Sequence, residues 1–175
     1  MKAICGRGRT LLRRSGALSA AVAVGALCVL ALAGPASAAG AGAVNFTHNF
    51  HNEVILSDHL ANPCTGAPGT VTFTAKNGVF HITTLANGTS WATFTAEGTV
   101  TFVPDNPADA SASGHFAVWD GENVNLRNGT ATSTSNSVLS GSDGSRIGVH
   151  EVFHMNVSAS GIGGISFDKP VLTCG

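Results

Sequence analysis

Apolar and polar residues alternate along most of this chain, and the alternation has the period of β-strands. Between residues 44 and 172, Val, Ile, Phe and Thr recur at every second position, while no long window shows three- and four-residue spacing. A period of two places one set of side chains on each face of an extended strand. Turn-forming residues divide the pattern. The sequence therefore predicts eight strands, at residues 44–56, 69–75, 79–86, 90–103, 113–119, 127–140, 146–157 and 165–172.

The predicted turns favour an antiparallel arrangement of these strands. Asn77-Gly78 and Asn87-Gly88 suit tight hairpins, and the segments 120–125 and 142–145 are also predicted to turn the chain. A meander of this kind leaves two sheet edges that need protection. We therefore expect an all-β, up-and-down barrel of about eight strands, calycin-like or cyclase-like, in which the first strand pairs with the eighth. A two-sheet β-sandwich is the alternative.

The first 38 residues differ from the rest in composition. A start with five basic residues precedes an uncharged run rich in Ala, Leu and Val from Ala17 to Ala33, and Pro35-Ala36-Ser37-Ala38 follows. This order is typical of a secretory signal peptide cleaved after about Ala38. We expect residues 39–43 to form a flexible N-terminus and 44–175 to form a single domain. No second apolar run is long enough to span a membrane, so the mature chain is expected to be extracellular.

Removal of the leader changes the net charge. It takes away five of the nine basic residues and no acidic one, which leaves four basic residues against ten acidic ones, a net charge of −6. We do not expect nucleic acid as a partner, because phosphate binding needs clustered Lys and Arg. The glycine-rich run at 160–164 lacks the strand–turn–helix context of a nucleotide-binding loop. We expect a monomer without a cofactor.

Two cysteines remain after the leader. Cys64 and Cys174 are too isolated for a zinc site, which uses four ligands at short spacing. In an oxidising compartment such a pair predicts a disulfide. Because Cys64 follows the first predicted strand and Cys174 follows the eighth, the bond is expected to join the two edges of the sheet.

His48 and Glu151 are the candidates for chemistry. Alternation places both on the interior face, and a buried carboxylate needs a partner or a proton. An inward His–Glu pair can act as general acid and base or orient a ligand, whereas a satisfied polar pair in the core is the plainer interpretation. Trp119 is a candidate ligand anchor at the mouth of the barrel, or a packing residue at its rim.

The histidines do not predict a metal site. His150 and His154 lie four residues apart on one face of a strand, about 13 Å along it. One zinc ion holds its ligands at about 2 Å and cannot bridge that distance. No Gly-x-Ser-x-Gly hydrolase motif is present. The first hypothesis for function is a non-enzymatic binding protein for a small apolar ligand or a surface partner. The alternatives are a barrel-type cyclase or isomerase that uses His48 and Glu151, and a structural or interaction protein of the cell envelope with a filled barrel.

Several motifs follow the leader along the chain: Asn62-Pro63-Cys64-Thr65-Gly66, Gly78-Val79-Phe80-His81, Gly114-His115-Phe116 with Trp119, and Gly141-Ser142-Asp143-Gly144-Ser145. In this order they resemble a group of small uncharacterised secreted proteins of high-GC Gram-positive bacteria. The resemblance covers most of the mature chain. It implies a bacterial lineage and export, and it implies no particular chemistry.

Overall fold

The computed structural model describes residues 42–125, 128–158 and 163–175. All regular structure in these ranges is β-strand. The strands are β1 (Val44–Phe50), β2 (Glu53–Ala61), β3 (Pro68–Thr84), β4 (Ser90–Pro104), β5 (Ala112–Val124), β6 (Asn128–Gly141), β7 (Arg146–Ser158) and β8 (Gly163–Cys174). The prediction of an all-β chain with eight antiparallel strands is confirmed. The predicted signal peptide, residues 1–38, and residues 39–41 lie outside the described residues.

All eight strands belong to one antiparallel sheet. Its order is β1-β3-β4-β5-β6-β7-β8, and β2 also pairs with β3. β1 pairs with the second half of β3, from Gly78 to Thr84, and β2 pairs with the first half, from Pro68 to Ala75. The two short strands therefore lie end to end along one edge of β3, whose other edge pairs with β4. No helix in the described ranges is long and apolar enough to span a membrane.

A break at His51 and Asn52 separates β1 from β2. Asn52 has a φ of 52°, in the left-handed region that Asn tolerates better than most residues. The prediction of one uninterrupted strand at 44–56 is therefore wrong at this point. The chain nevertheless keeps to the same sheet edge, because the segments before and after the break pair with the same strand.

The predicted hairpin at Asn77-Gly78 is also wrong, because β3 runs straight through it. The register between β3 and β4 shifts between Ala75 and Asn77, which is the pattern of a β-bulge. The bulge moves the inward-facing positions from odd numbers, such as Phe73, to even numbers, such as Phe80. Asn87-Gly88, in contrast, does turn the chain between β3 and β4, with Gly88 at a φ of 80°.

The buried apolar side chains lie on one face of the sheet, which is its inner face. They are Val71, Phe73, Ala75, Ala96, Val100, Phe102, Ala112, Phe116, Val118, Leu139 and Ile147. The rings of Phe73 and Phe116 meet edge to face, with centroids 5.1 Å apart. The alternate positions form the outer face, where Thr, Ser, Asn and His are frequent.

Cys64 and Cys174 form the predicted disulfide, with Cα atoms 5.7 Å apart. Cys64 lies in the loop after β2 and Cys174 ends β8, so the bond joins opposite edges and the sheet must roll to bring them together. In the described residues β8 pairs with β7 and with neither β1 nor β2. In the described residues the sheet is therefore not closed by strand pairing, and the disulfide links its two edges. All strands belong to one sheet, so the two-sheet alternative is wrong.

Candidate functional site

His48 and Glu151, the predicted catalytic candidates, lie in different surroundings. Glu151 is buried on the inner face of β7, as alternation predicts. His48 lies on the edge strand β1 with about half of its side chain exposed, and its Nε2 is 3.4 Å from Oε2 of Glu53. Four strands separate β1 from β7 in the order of the sheet. A direct His48–Glu151 pair stays a prediction.

Trp119, the predicted ligand anchor, lies in the middle of β5 on the outer face of the sheet, and 46% of its surface is exposed. A Cβ placed on Gly121 would lie 2.9 Å from Cη2 of Trp119 and 3.1 Å from its Cζ2. The indole therefore lies directly over this glycine, and a larger residue there would displace it. The structure presents Trp119 as an exposed ring supported by the strand beneath it.

A second exposed tryptophan lies on the same face, on the strand next to that of Trp119. Trp91 on β4 is 41% exposed. It lies on the same side of β4 as Thr95, which pairs with the outward-facing Trp119, and Trp91 itself pairs with Asn123. Trp91 therefore faces outwards. An offset of four residues on neighbouring strands places the two Cα atoms about 14 Å apart. The Trp119 ring extends along β5 towards the level of Trp91, because it covers Gly121. The alternation in β4 already places Trp91 opposite its apolar residues, so this signal was available in the sequence.

We call the outward side chains around these two rings the tryptophan face. Beside Trp91 and Trp119 its members are Thr93, Thr95, Gly121, Asn123, Thr132 and Thr134. None of these positions carries Lys, Arg, Asp or Glu. The Oγ1 of Thr132 is 2.7 Å from Nδ1 of His154 on β7, which fixes the hydroxyl at one border. The tryptophan face thus combines two aromatic rings with uncharged hydroxyl and amide groups.

Sequence reasoning missed an acidic pair on the inner face. The segment from Asp120 to Asn125 is predicted as a turn, but β5 continues to Val124 and pairs there with β4 and β6. Asp120 and Glu122 therefore occupy alternate inward positions of a strand. Asp120 is only 4% exposed, and neither of its carboxylate oxygens has a hydrogen-bond partner among the described residues.

The surroundings of this pair raise both pKa values. Burial raises the pKa of Asp120 from its ordinary 3.8 to about 6. The hydroxyl of Ser133, opposite on β6, lowers the pKa of Asp120 and offsets part of the effect of burial. Its contact with the carboxylate falls short of hydrogen-bond geometry. Burial, and secondly the negative charge of Asp120, raise the pKa of Glu122 from 4.5 to about 7. The pair thus holds a proton at a pH close to neutral.

Two of the described histidines make side-chain hydrogen bonds between paired strands. Nδ1 of His81 is 2.8 Å from Oγ1 of Thr47, and Nδ1 of His150 is 2.6 Å from Oδ1 of Asn136. In the ranges that the structure describes, no three His, Cys, Asp or Glu side chains converge in a way that could hold a metal ion.

Comparisons with protein-family models, with curated proteins and with solved structures find no match to this chain. The chain is a small all-β protein with an uncharged tryptophan face on the outside of its sheet and a carboxyl pair on its inner face. Its function has to be inferred from the chemistry of these two surfaces.

Proposed function

We propose that this is a secreted, non-enzymatic binding protein that holds a neutral glycan of a surface partner on its tryptophan face. The observation that carries the proposal is the pair of exposed indoles, Trp91 and Trp119, among the uncharged side chains of the tryptophan face. Exposed Trp is rare on monomeric proteins, and it is the residue type most enriched among side chains that dominate binding energy.

The chemistry of the tryptophan face matches that of a neutral sugar chain. The C–H-rich faces of sugar rings pack on an indole, which offers a large, rigid and amphipathic surface. The hydroxyls of Thr93, Thr95 and Thr134 and the amide of Asn123 surround the rings and can exchange hydrogen bonds with sugar hydroxyls. Because no ionic group lies among them, an anionic or cationic polymer would lose hydration without gaining a charge partner.

Secretion belongs to this proposal. The predicted leader supports it, and the Cys64–Cys174 bond suits an oxidising compartment. The bacterial lineage implied by the sequence motifs would place the protein at or beyond the cell envelope. A carrier of a small apolar ligand inside a closed calycin-like barrel would require β8 to pair with β1 or β2. Binding on the outer face works with the open sheet as it stands.

The test is a binding assay of the secreted protein against insoluble neutral polysaccharides: cellulose, chitin, xylan and a β-1,3-glucan. We expect at least one to retain the protein, with little change between low and high salt, because the contact is uncharged. Trp91→Ala and Trp119→Ala should each weaken retention by about tenfold or more, the effect of losing one dominant contact.

A matched control is Val138→Ala, which shortens another exposed apolar side chain of the outer face, beyond the tryptophan face on β6. It should bind like the wild type. Circular dichroism of each variant checks that the sheet is intact. The proposal is wrong if none of the four polysaccharides retains the protein, or if both tryptophan variants are retained as strongly as the wild type.

A further inference from the structure

The inner carboxyl pair on β5 points to a second binding site. We propose that Asp120 and Glu122 together bind the ammonium group of a small alkylamine inside the rolled sheet. This inference does not depend on the glycan proposal, because it concerns the opposite face and different side chains. The first observation is that Asp120 is 4% exposed and that neither carboxylate oxygen has a hydrogen-bond partner in the described part of the chain.

The positions of the two carboxyl groups suit one shared cation. Residues two apart on one face of a strand have Cα atoms about 7 Å apart, so both side chains can reach a single group between them. An ammonium carries three N–H donors, enough for Asp120, Glu122 and the hydroxyl of Ser133, which faces Asp120 across the β5–β6 pair. Such charge-assisted hydrogen bonds are stronger than neutral ones.

The surrounding residues favour an alkylamine over a metal ion. Asp120 pairs across the sheet with Phe94, and Phe94 pairs with Phe80 on β3, so an apolar wall stands beside the carboxyl pair. Glu122 lies between Ala92 and Ala131, whose short side chains contribute no ligand atoms. No three metal-ligating side chains converge within the described residues. An ammonium needs only the two carboxylates and the hydroxyl, and the phenyl rings can contact its alkyl chain.

A buried carboxylate without a partner is costly unless it takes up a proton or a cation. Burial raises the pKa of Asp120 to about 6 and that of Glu122 to about 7, so a proton fills this role as the pH falls below neutral. An arriving ammonium would replace that proton. Binding should therefore release protons at pH 6 to 7, and it should weaken below pH 5, where both carboxyl groups are protonated.

The test is isothermal titration calorimetry with n-hexylamine at pH 7, in two amine-free buffers that differ in ionisation enthalpy. We expect saturable binding whose heat changes between the buffers, since protons are released. The neutral analogue n-hexanol should bind at least about tenfold more weakly, because it lacks the charge. Asp120→Asn and Glu122→Gln should each weaken hexylamine binding by a similar factor.

Glu97→Gln is the matched control, since Glu97 is an exposed carboxylate on the outer side of the neighbouring strand β4. It should bind hexylamine as the wild type does. Equal affinity for hexylamine and hexanol, or no hexylamine binding at all, would show that the acids form a protonated structural pair and would overturn the proposal. Unchanged binding in Asp120→Asn would also overturn it. Circular dichroism confirms folding of each variant.

Discussion

Asp120 makes the stability of this protein depend on pH in a direction opposite to that of an ordinary salt-bridged carboxylate. In the folded state its carboxyl group is buried without a hydrogen-bond partner among the described residues, whereas in the unfolded chain water solvates it. Replacing Asp120 with Asn keeps the shape of the side chain and removes the charge at every pH. We expect this variant to lose a large part of the pH dependence of folding.

The magnitude follows from the pKa of Asp120, which is about 6 in the folded protein against an ordinary value of 3.8. Between these two values the folded state binds more protons than the unfolded state, so the free energy of unfolding falls as the pH rises. A pKa difference of this size corresponds to a contribution of roughly 3 kcal/mol to the free energy of unfolding. This contribution is fully present below about pH 4 and is lost above about pH 7. This is a large share of a typical total stability of about 5–15 kcal/mol.

The assay is urea unfolding followed by circular dichroism at pH 4.5, 6 and 8 in amine-free buffers. The stability of Asp120→Asn relative to the wild type should rise by about 2–3 kcal/mol from the lowest to the highest pH. Glu97→Gln removes an exposed carboxylate and should follow the wild type. If Asp120→Asn and the wild type change in parallel with pH, burial does not penalise the charge of Asp120, and the reasoning above is refuted.

Two further predictions concern the stability of the fold. The double variant Cys64→Ser, Cys174→Ser opens a loop of 110 residues, and it should lower the free energy of unfolding by about 4–5 kcal/mol. Urea unfolding measures this, and equal midpoints with and without reductant in the wild type would contradict it. Gly98→Ala should destabilise the sheet by several kcal/mol, because its Cβ would overlap the carbonyl oxygen of Thr74 on β3. Gly42→Ala, where a Cβ meets nothing, should unfold like the wild type, and equal midpoints for the two alanine variants would show that this contact relaxes freely.

Alternation alone was enough to predict most of the strands and the inner apolar face. It succeeds best in β4 and β7, because the inward positions of each are mostly apolar and the outward positions mostly polar. It fails where local composition and pairing disagree. Asn77-Gly78 has the composition of a hairpin turn, yet the continuous ladder between β3 and β4 makes it part of a bulged strand. Local sequence does not show that the long strand β4 will form backbone hydrogen bonds with β3 on both sides of Asn77-Gly78.

The same limit explains the missed carboxyl pair. Asp, Gly, Glu and Asn between 120 and 123 favour a turn by composition, but pairing with β4 on one side and β6 on the other extends β5 through them. Glu151 was placed on the inner face correctly, because its strand has no such conflict. The disulfide could be predicted from the number and position of the cysteines. Whether the two sheet edges that it links also pair could not be predicted, because one covalent bond is compatible with paired and with unpaired edges.

The disulfide also determines how the protein would respond to mechanical tension. The bond between Cys64 and Cys174 encloses every strand from β3 to β8 in one covalent loop. Tension applied at the two ends of the chain would pass through the sulfur atoms and bypass that loop. Of the described strands, only β1 and β2 lie outside it, so a pulling force could peel these two strands from β3 and leave the strands within the loop in place. The tryptophan face lies within the loop and would stay folded under load.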